Sequence, residues 1–131
     1  MPRYAREGDA AVDLLSRVDA HLAPAGGRVA VPTGVALAIP PGYAGLVVPR
    51  SGLALRHGVT CLNTPGVVDS GFRGELEVVL LNTDPEHGYD VFRGDRVAQL
   101  LIVQIPLLRF VAVSALDPSE RGAGGFGHTG R

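Results

Sequence analysis

An all-β domain is what this sequence predicts, and three observations carry that expectation. The 131 residues hold 18 glycines and 10 prolines, too many for a helical bundle but suited to short strands joined by turns. Apolar residues gather in strand-length runs bounded by Gly, Pro, Asn or Asp. Hydrophobic residues make up 46% and charged residues 19%, and a globular chain of this length builds one core rather than two. A single domain over residues 1–131 is expected.

Residues 10–16 read as a helical turn or a short strand, because so short a run does not separate the two periods. Pro24-Ala-Gly-Gly27 is a turn. Residues 28–31, 35–39 and 44–48 read as β segments punctuated by Pro32, Pro40-Pro41-Gly42 and Gly45. Residues 49–58 break that pattern: Ser51 is placed to cap a short helix containing Leu53, Ala54 and Leu55, with Gly58 ending it. In residues 63–77, Val67 and Val68 favour a strand, Ser70-Gly71 is turn chemistry, and Phe72 to Leu76 resumes an extended pattern. This reads as a hairpin with Asp69 near its tip. Residues 75–82 continue as a strand, Arg93-Gly94-Asp95 is a turn, and residues 96–105 form the longest apolar strand. Residues 108–113 are predicted as a last strand. Residues 121–131 are glycine-rich, a composition that builds no core and predicts a mobile C-terminal arm.

Several function classes are disfavoured at this level. A net charge of -1 gives no electrostatic case for duplex nucleic acid or an anionic membrane. The one cysteine, Cys61, excludes an internal disulfide and suits a reducing cytoplasm. No apolar run reaches membrane-spanning length, and the N-terminus carries no signal-peptide core. His21, His57, His87 and His128 stand at no metal-ligand spacing, there is no P-loop, and Ser51 lacks a hydrolase-elbow setting.

The remaining candidates each have two readings. Asp69 either caps its turn through backbone amides or acts as a reacting carboxylate. Gln99, an amide within an apolar run, needs a partner, either across the strand or on a ligand. Asp13 is a turn former or a hard oxygen ligand; Mg2+ favours one or two carboxylates plus phosphates and water. Arg50 and Ser51 stand at a helix start, where an anion is favoured. Arg121 and Phe126 either belong to a merely flexible tail or fork onto a phosphate and stack on a base. A water nucleophile activated by a carboxylate is the simplest mechanism left.

Five stretches in order carry a resemblance. Ala11-Val-Asp-Leu-Leu-Ser16, Pro49-Arg-Ser-Gly-Leu-Ala54, Asn63-Thr-Pro-Gly-Val-Val-Asp69 with Phe72-Arg-Gly-Glu75, Gly94-Asp-Arg-Val-Ala-Gln-Leu100 and Arg121-Gly-Ala-Gly-Gly-Phe-Gly127 resemble the five motifs of trimeric dUTPases. The resemblance implies a distorted jelly-roll-like β-barrel subunit, a homotrimer with three active sites at subunit interfaces, and an arm closing over a site. It implies cytoplasmic hydrolysis of dUTP to dUMP and pyrophosphate, sanitising the nucleotide pool and supplying dUMP for thymidylate synthesis. Asp69 would activate the water that attacks the α-phosphorus, and Asp13 would hold Mg2+ through water. Arg50, Ser51, Gly52 and Gln99 would contact phosphates, and Arg121 would reach the γ-phosphate. Asn63 and the backbone at Val67 and Val68 would read uracil, with Glu77 close by. Phe72 would pack under the deoxyribose and Phe126 would stack on the base. No stable nucleic-acid or membrane binding is implied.

Two positions depart from the family pattern: Phe72 stands where tyrosine is common, and His128 where serine is usual. Two alternatives share the fold. One is a dCTP deaminase, which places a catalytic glutamate where this chain has Val79 and lacks the glycine-rich tail. The other is a non-catalytic trimeric binding module.

Overall fold

The computed structural model describes residues 1–123. Its elements are β1 (Val12–Leu15), β2 (Ala20–Leu22), β3 (Arg28–Pro32), β4 (Tyr43–Val48), α1 (Ser51–His57), β5 (Val59–Cys61), β6 (Gly66–Val68), β7 (Glu77–Asn82), β8 (Tyr89–Val91) and β9 (Arg96–Gln104). The all-β class is borne out. Strand β9 lies inside the largest sheet, ordered β1-β9-β4-β6, because the longest apolar run has the most to gain from neighbours on both edges. A second sheet is ordered β3-β7-β5, and β2 pairs with β8. All these pairings are antiparallel.

One core joins the sheets. Leu14, Val47, Val68, Val97 and Leu100 come from the first, Val31, Val59, Cys61, Val78 and Leu80 from the second, and Leu22 and Val91 from the small pair. Each fully buried Leu or Val contributes about 1.5–3 kcal/mol. Gly45 lets the core pack closely against the backbone of β4: a Cβ there would stand 3.1 Å from both Ile39 Cδ1 and Leu100 Cδ1. Asn82, fully buried, is satisfied on both ends of its amide. Its Nδ2 donates to the His87 carbonyl at 2.9 Å, and its Oδ1 accepts from the Asp84 amide at 2.9 Å. Among the described residues no helix is long and apolar enough to cross a membrane.

Residues 10–16 resolve as strand β1, and the Gly58 stop holds, at φ 62° with its N–H donated to the Ala54 carbonyl. Other expectations are corrected. Ser51 does not cap α1: Arg50 is the N-cap, with no side-chain cap bond, and its carbonyl accepts from Leu53 and Ala54. Residues 35–39 keep alternating burial but form no strand. The β3 ladder ends at Pro32 opposite Glu77, and the chain preceding Glu77 swings away after Leu76 N donates to the Val35 carbonyl. Residues 108–113 also form no strand; Leu108 and Phe110 are exposed, and strand propensity without a neighbouring ladder does not make a strand.

The predicted hairpin is the correction that matters most for function. Strand β6 pairs with β4 in one sheet, whereas β7 pairs with β3 and β5 in the other. Residues 69–76 therefore cross between sheets. With separate ladders on the two sides of this crossing, the strands do not close into a barrel, and the fold is jelly-roll-like and open.

Candidate active site

The crossing opens a cavity of about 200 Å3 between the sheets. Six residues singled out from the sequence line it together: Asn63, Val67, Val68, Asp69, Phe72 and Glu77. One wall is the β5–β6 connection, where the Thr64–Pro65 peptide is cis and Gly66 lets the Asn63 amide lie close; a Cβ at Gly66 would be 3.3 Å from Asn63 Nδ2. The opposite wall carries Phe72, whose ring folds over Gly74. A Cβ on Gly74 would meet Phe72 Cζ at 2.7 Å, so that position has to stay bare for the ring to lie there.

Asp69 is the first residue beyond β6. Its backbone carbonyl accepts the Phe72 N–H at 3.1 Å and closes the turn, so the side chain is not needed for that purpose. Among the described residues the Asp69 carboxylate accepts no hydrogen bond, which removes the turn-capping reading. It sits exposed at the cavity with both oxygens available.

A second cluster lies at the other side of the large sheet. Asp13 faces Gln99 across the β1–β9 ladder. Its Oδ1 receives Arg50 Nε at 3.2 Å and Gln99 Nε2 at 3.5 Å, while Oδ2 faces Arg96 Nε at 3.2 Å. The cross-strand partner expected for Gln99 is thus Asp13. Arg50 Nη1 also donates to the Arg96 carbonyl at 3.3 Å. Arg96 escaped the sequence reading; the available signal was an arginine opening the strand that pairs with the one carrying Asp13. Ser51 and Gly52 lie in the first turn of α1, where Arg56 Nη2 reaches to 2.9 Å of a Cβ built on Gly52. Two guanidinium groups, those of Arg50 and Arg96, therefore gather beside one carboxylate, a setting suited to a polyanion.

The donor set does not form a metal cage. Among the described residues no group of three His, Cys, Asp or Glu side chains could hold an ion. A lone Asp13, already paired to arginines, fits an ion that arrives on phosphate oxygens and keeps its waters. Cys61 is no competing nucleophile, since burial pushes its thiol up to about 11. Arg121 is exposed in the last described turn, and Phe126 and His128 lie outside the described residues.

The two clusters do not meet within one chain. Asp13, Gln99 and Val48 share a row of the sheet, while Val68 pairs with Gly45, so Asp69 lies beyond the far edge strand and opposite the start of β4. Strand rise of about 3.3 Å per residue and spacing of about 4.8 Å between strands put the two aspartates roughly 20 Å apart.

Fold and cavity together define an all-β, jelly-roll-like chain with a free carboxylate in a crevice and an arginine-rich cluster some distance away. The dUTPase family model matches residues 1–130, and the chain belongs to the dUTPase family. It is 55% identical over 130 residues to the deoxyuridine 5'-triphosphate nucleotidohydrolase of Thermobifida fusca, covering 99% of this chain and 72% of that one. It is 52% identical to the protein of the same name from Cutibacterium acnes, covering 99% and 85%. Among solved structures it resembles the Staphylococcus bacteriophage 80alpha dUTPase with dUpNHpp, at TM-score 0.88 and 28% identity over 100% of this chain and 92% of that one. It also resembles a D95N mutant dUTPase from phage phi11 of S. aureus, described with a structural Mg(II) ion, at TM-score 0.80 and 25% identity over 90% and 92%.

Proposed function

We propose that this chain hydrolyses dUTP to dUMP and pyrophosphate, with Asp69 orienting and deprotonating a water for in-line attack on the α-phosphorus. The observation that carries this reading is the Asp69 carboxylate, without a hydrogen bond among the described residues, in a crevice walled by Asn63, Val67, Val68 and Phe72. Membership of the dUTPase family and likeness to a dUTPase holding dUpNHpp support the substrate.

In this reading Asn63 and the backbone of β6 hydrogen-bond the uracil edge, and the narrow crevice excludes the methyl group of thymine. Glu77, at the start of β7, lies beside the base. Phe72 packs under the deoxyribose and excludes a ribose hydroxyl by shape, without the phenolic group that tyrosine would supply. Arg50, Ser51, Gly52 and Gln99 take the phosphates, and Arg121 reaches the γ-phosphate while Phe126 stacks on the base. Asp13 would hold the waters of a Mg2+ carried by the triphosphate, whose charge that ion neutralises. Phosphoryl transfer needs such positioning and charge balance more than covalent help.

The separation of Asp13 from Asp69 supports a site shared between copies, since two halves roughly 20 Å apart in one chain meet only when different copies supply them; the homotrimer itself rests on the family resemblance. Val79 lines the crevice where a deaminase would need a carboxylate, which disfavours deamination. Steady-state rates with Mg2+ on dUTP, dTTP, dCTP and UTP test the proposal. Pyrophosphate release is expected from dUTP at a kcat/KM at least about 10²-fold above the other three. Equal rates on dTTP, or conversion of dCTP to a uracil nucleotide, would refute it, and tight dUTP binding without turnover would favour the binding-module alternative.

A further inference from the structure

The loop that carries Asp69 and Phe72 is tied down on its returning side by residues outside the five motif stretches. Glu75 Oε1 receives Arg17 Nε at 2.7 Å and Glu75 Oε2 receives Arg17 Nη2 at 3.1 Å, a two-bond fork. Glu75 Oε1 also accepts the Gly34 N–H at 2.7 Å, where Gly34 holds φ +72°. The next residue is fixed too: Thr33 Oγ1 donates to the Leu76 carbonyl at 2.8 Å.

Arg17 itself springs from a braced segment. Its N–H donates to the Pro32 carbonyl at 3.0 Å, and its neighbour Ser16 exchanges backbone bonds with Gly94 and Asp95 at 2.8 Å each. Glu75 lines the crevice, while Arg17 is not among its lining residues. We propose that Arg17, acting through Glu75, is a positioning residue that fixes the loop bearing Asp69 and Phe72 against the body of the subunit. This proposal rests on the dUTPase reading above.

The fork holds the Glu75 carboxyl below its usual range, first through the Arg17 hydrogen bond and then through the Gly34 amide. One fact separates positioning from plain stabilisation. Arg17 is solvent-exposed and Glu75 half-buried, with side-chain exposures of 54% and 34%, and so solvated a pair adds little to global stability. Asp69 stands one residue past the last β6 ladder position, so its placement depends on the loop. The base-reading residues on β6 are held by β4 instead.

The test measures kcat and KM on dUTP, dUMP affinity by calorimetry, and Tm for the wild type, Arg17→Gln, Arg17→Lys, Glu75→Gln and the Arg17→Gln/Glu75→Gln pair, assayed well below every Tm. Arg17→Gln is expected to lower kcat about 10-fold, since small misplacements of a reacting group are costly. Arg17→Lys, which keeps the charge but loses the fork, should lower it less. The double variant should be no worse than the worse single one, and dUMP affinity, to which Phe72 on the loop contributes beside the residues of β6 held by β4, should fall by less than kcat does. An active wild type whose Arg17→Gln variant has unchanged kcat, or loses dUMP affinity in equal proportion, overturns the role of Arg17 alone. A wild type inert toward dUTP overturns the dUTPase reading and this proposal with it.

Discussion

Asp69→Asn is expected to lower turnover of dUTP by about 10²-fold or more while dUMP affinity, assembly and Tm stay close to wild type. The substitution preserves size but replaces the anionic carboxylate, the base that takes a proton from water, with a neutral amide. It should be structurally silent because the turn is closed by the Asp69 backbone carbonyl and not by its carboxylate. Stopped-flow and steady-state rates beside calorimetric dUMP titrations would check this. Turnover within a fewfold of wild type would remove Asp69 from the chemistry, and a large fall in Tm would return it to a turn-forming role.

Deleting residues 121–131 is expected to cut kcat/KM for dUTP by about 10²-fold or more, because an arginine on a transferring phosphate commonly contributes that much or more. The melting temperature should move by no more than about 2 °C. Residues 104–123 are exposed throughout, and the core is assembled from strands that end at Gln104. Thermal unfolding and dUTP kinetics on the truncated chain measure both. A steep fall in Tm with proportionate loss of activity would show the tail to be part of the folded body.

The local features of the fold were legible because each depends on a short stretch. Gly58 ends the helix since only a residue tolerant of positive φ fits there, and Gly94 turns the chain before β9 for the same reason, at φ 96°. Asp13 and Gln99 were singled out separately, and their meeting followed from register once β1 paired with β9. What the sequence concealed is sheet membership. Val67-Val68 and the residues after Gly74 look like the two arms of a hairpin by period alone, yet they pair with β4 and with β3 and β5 respectively. That choice is made by distant partners. Arg96 and the Arg17–Glu75 fork were hidden likewise, since ion pairs between residues far apart in sequence leave no periodic trace.

The central claim, that water attacks the α-phosphorus, is tested most directly by a single turnover of dUTP in 18O-water followed by 31P NMR of the products. The account predicts the heavy oxygen in dUMP, with its phosphorus signal shifted upfield, and unlabelled pyrophosphate. Label in pyrophosphate, with dUMP unlabelled, would mean attack at the β-phosphorus and would contradict it.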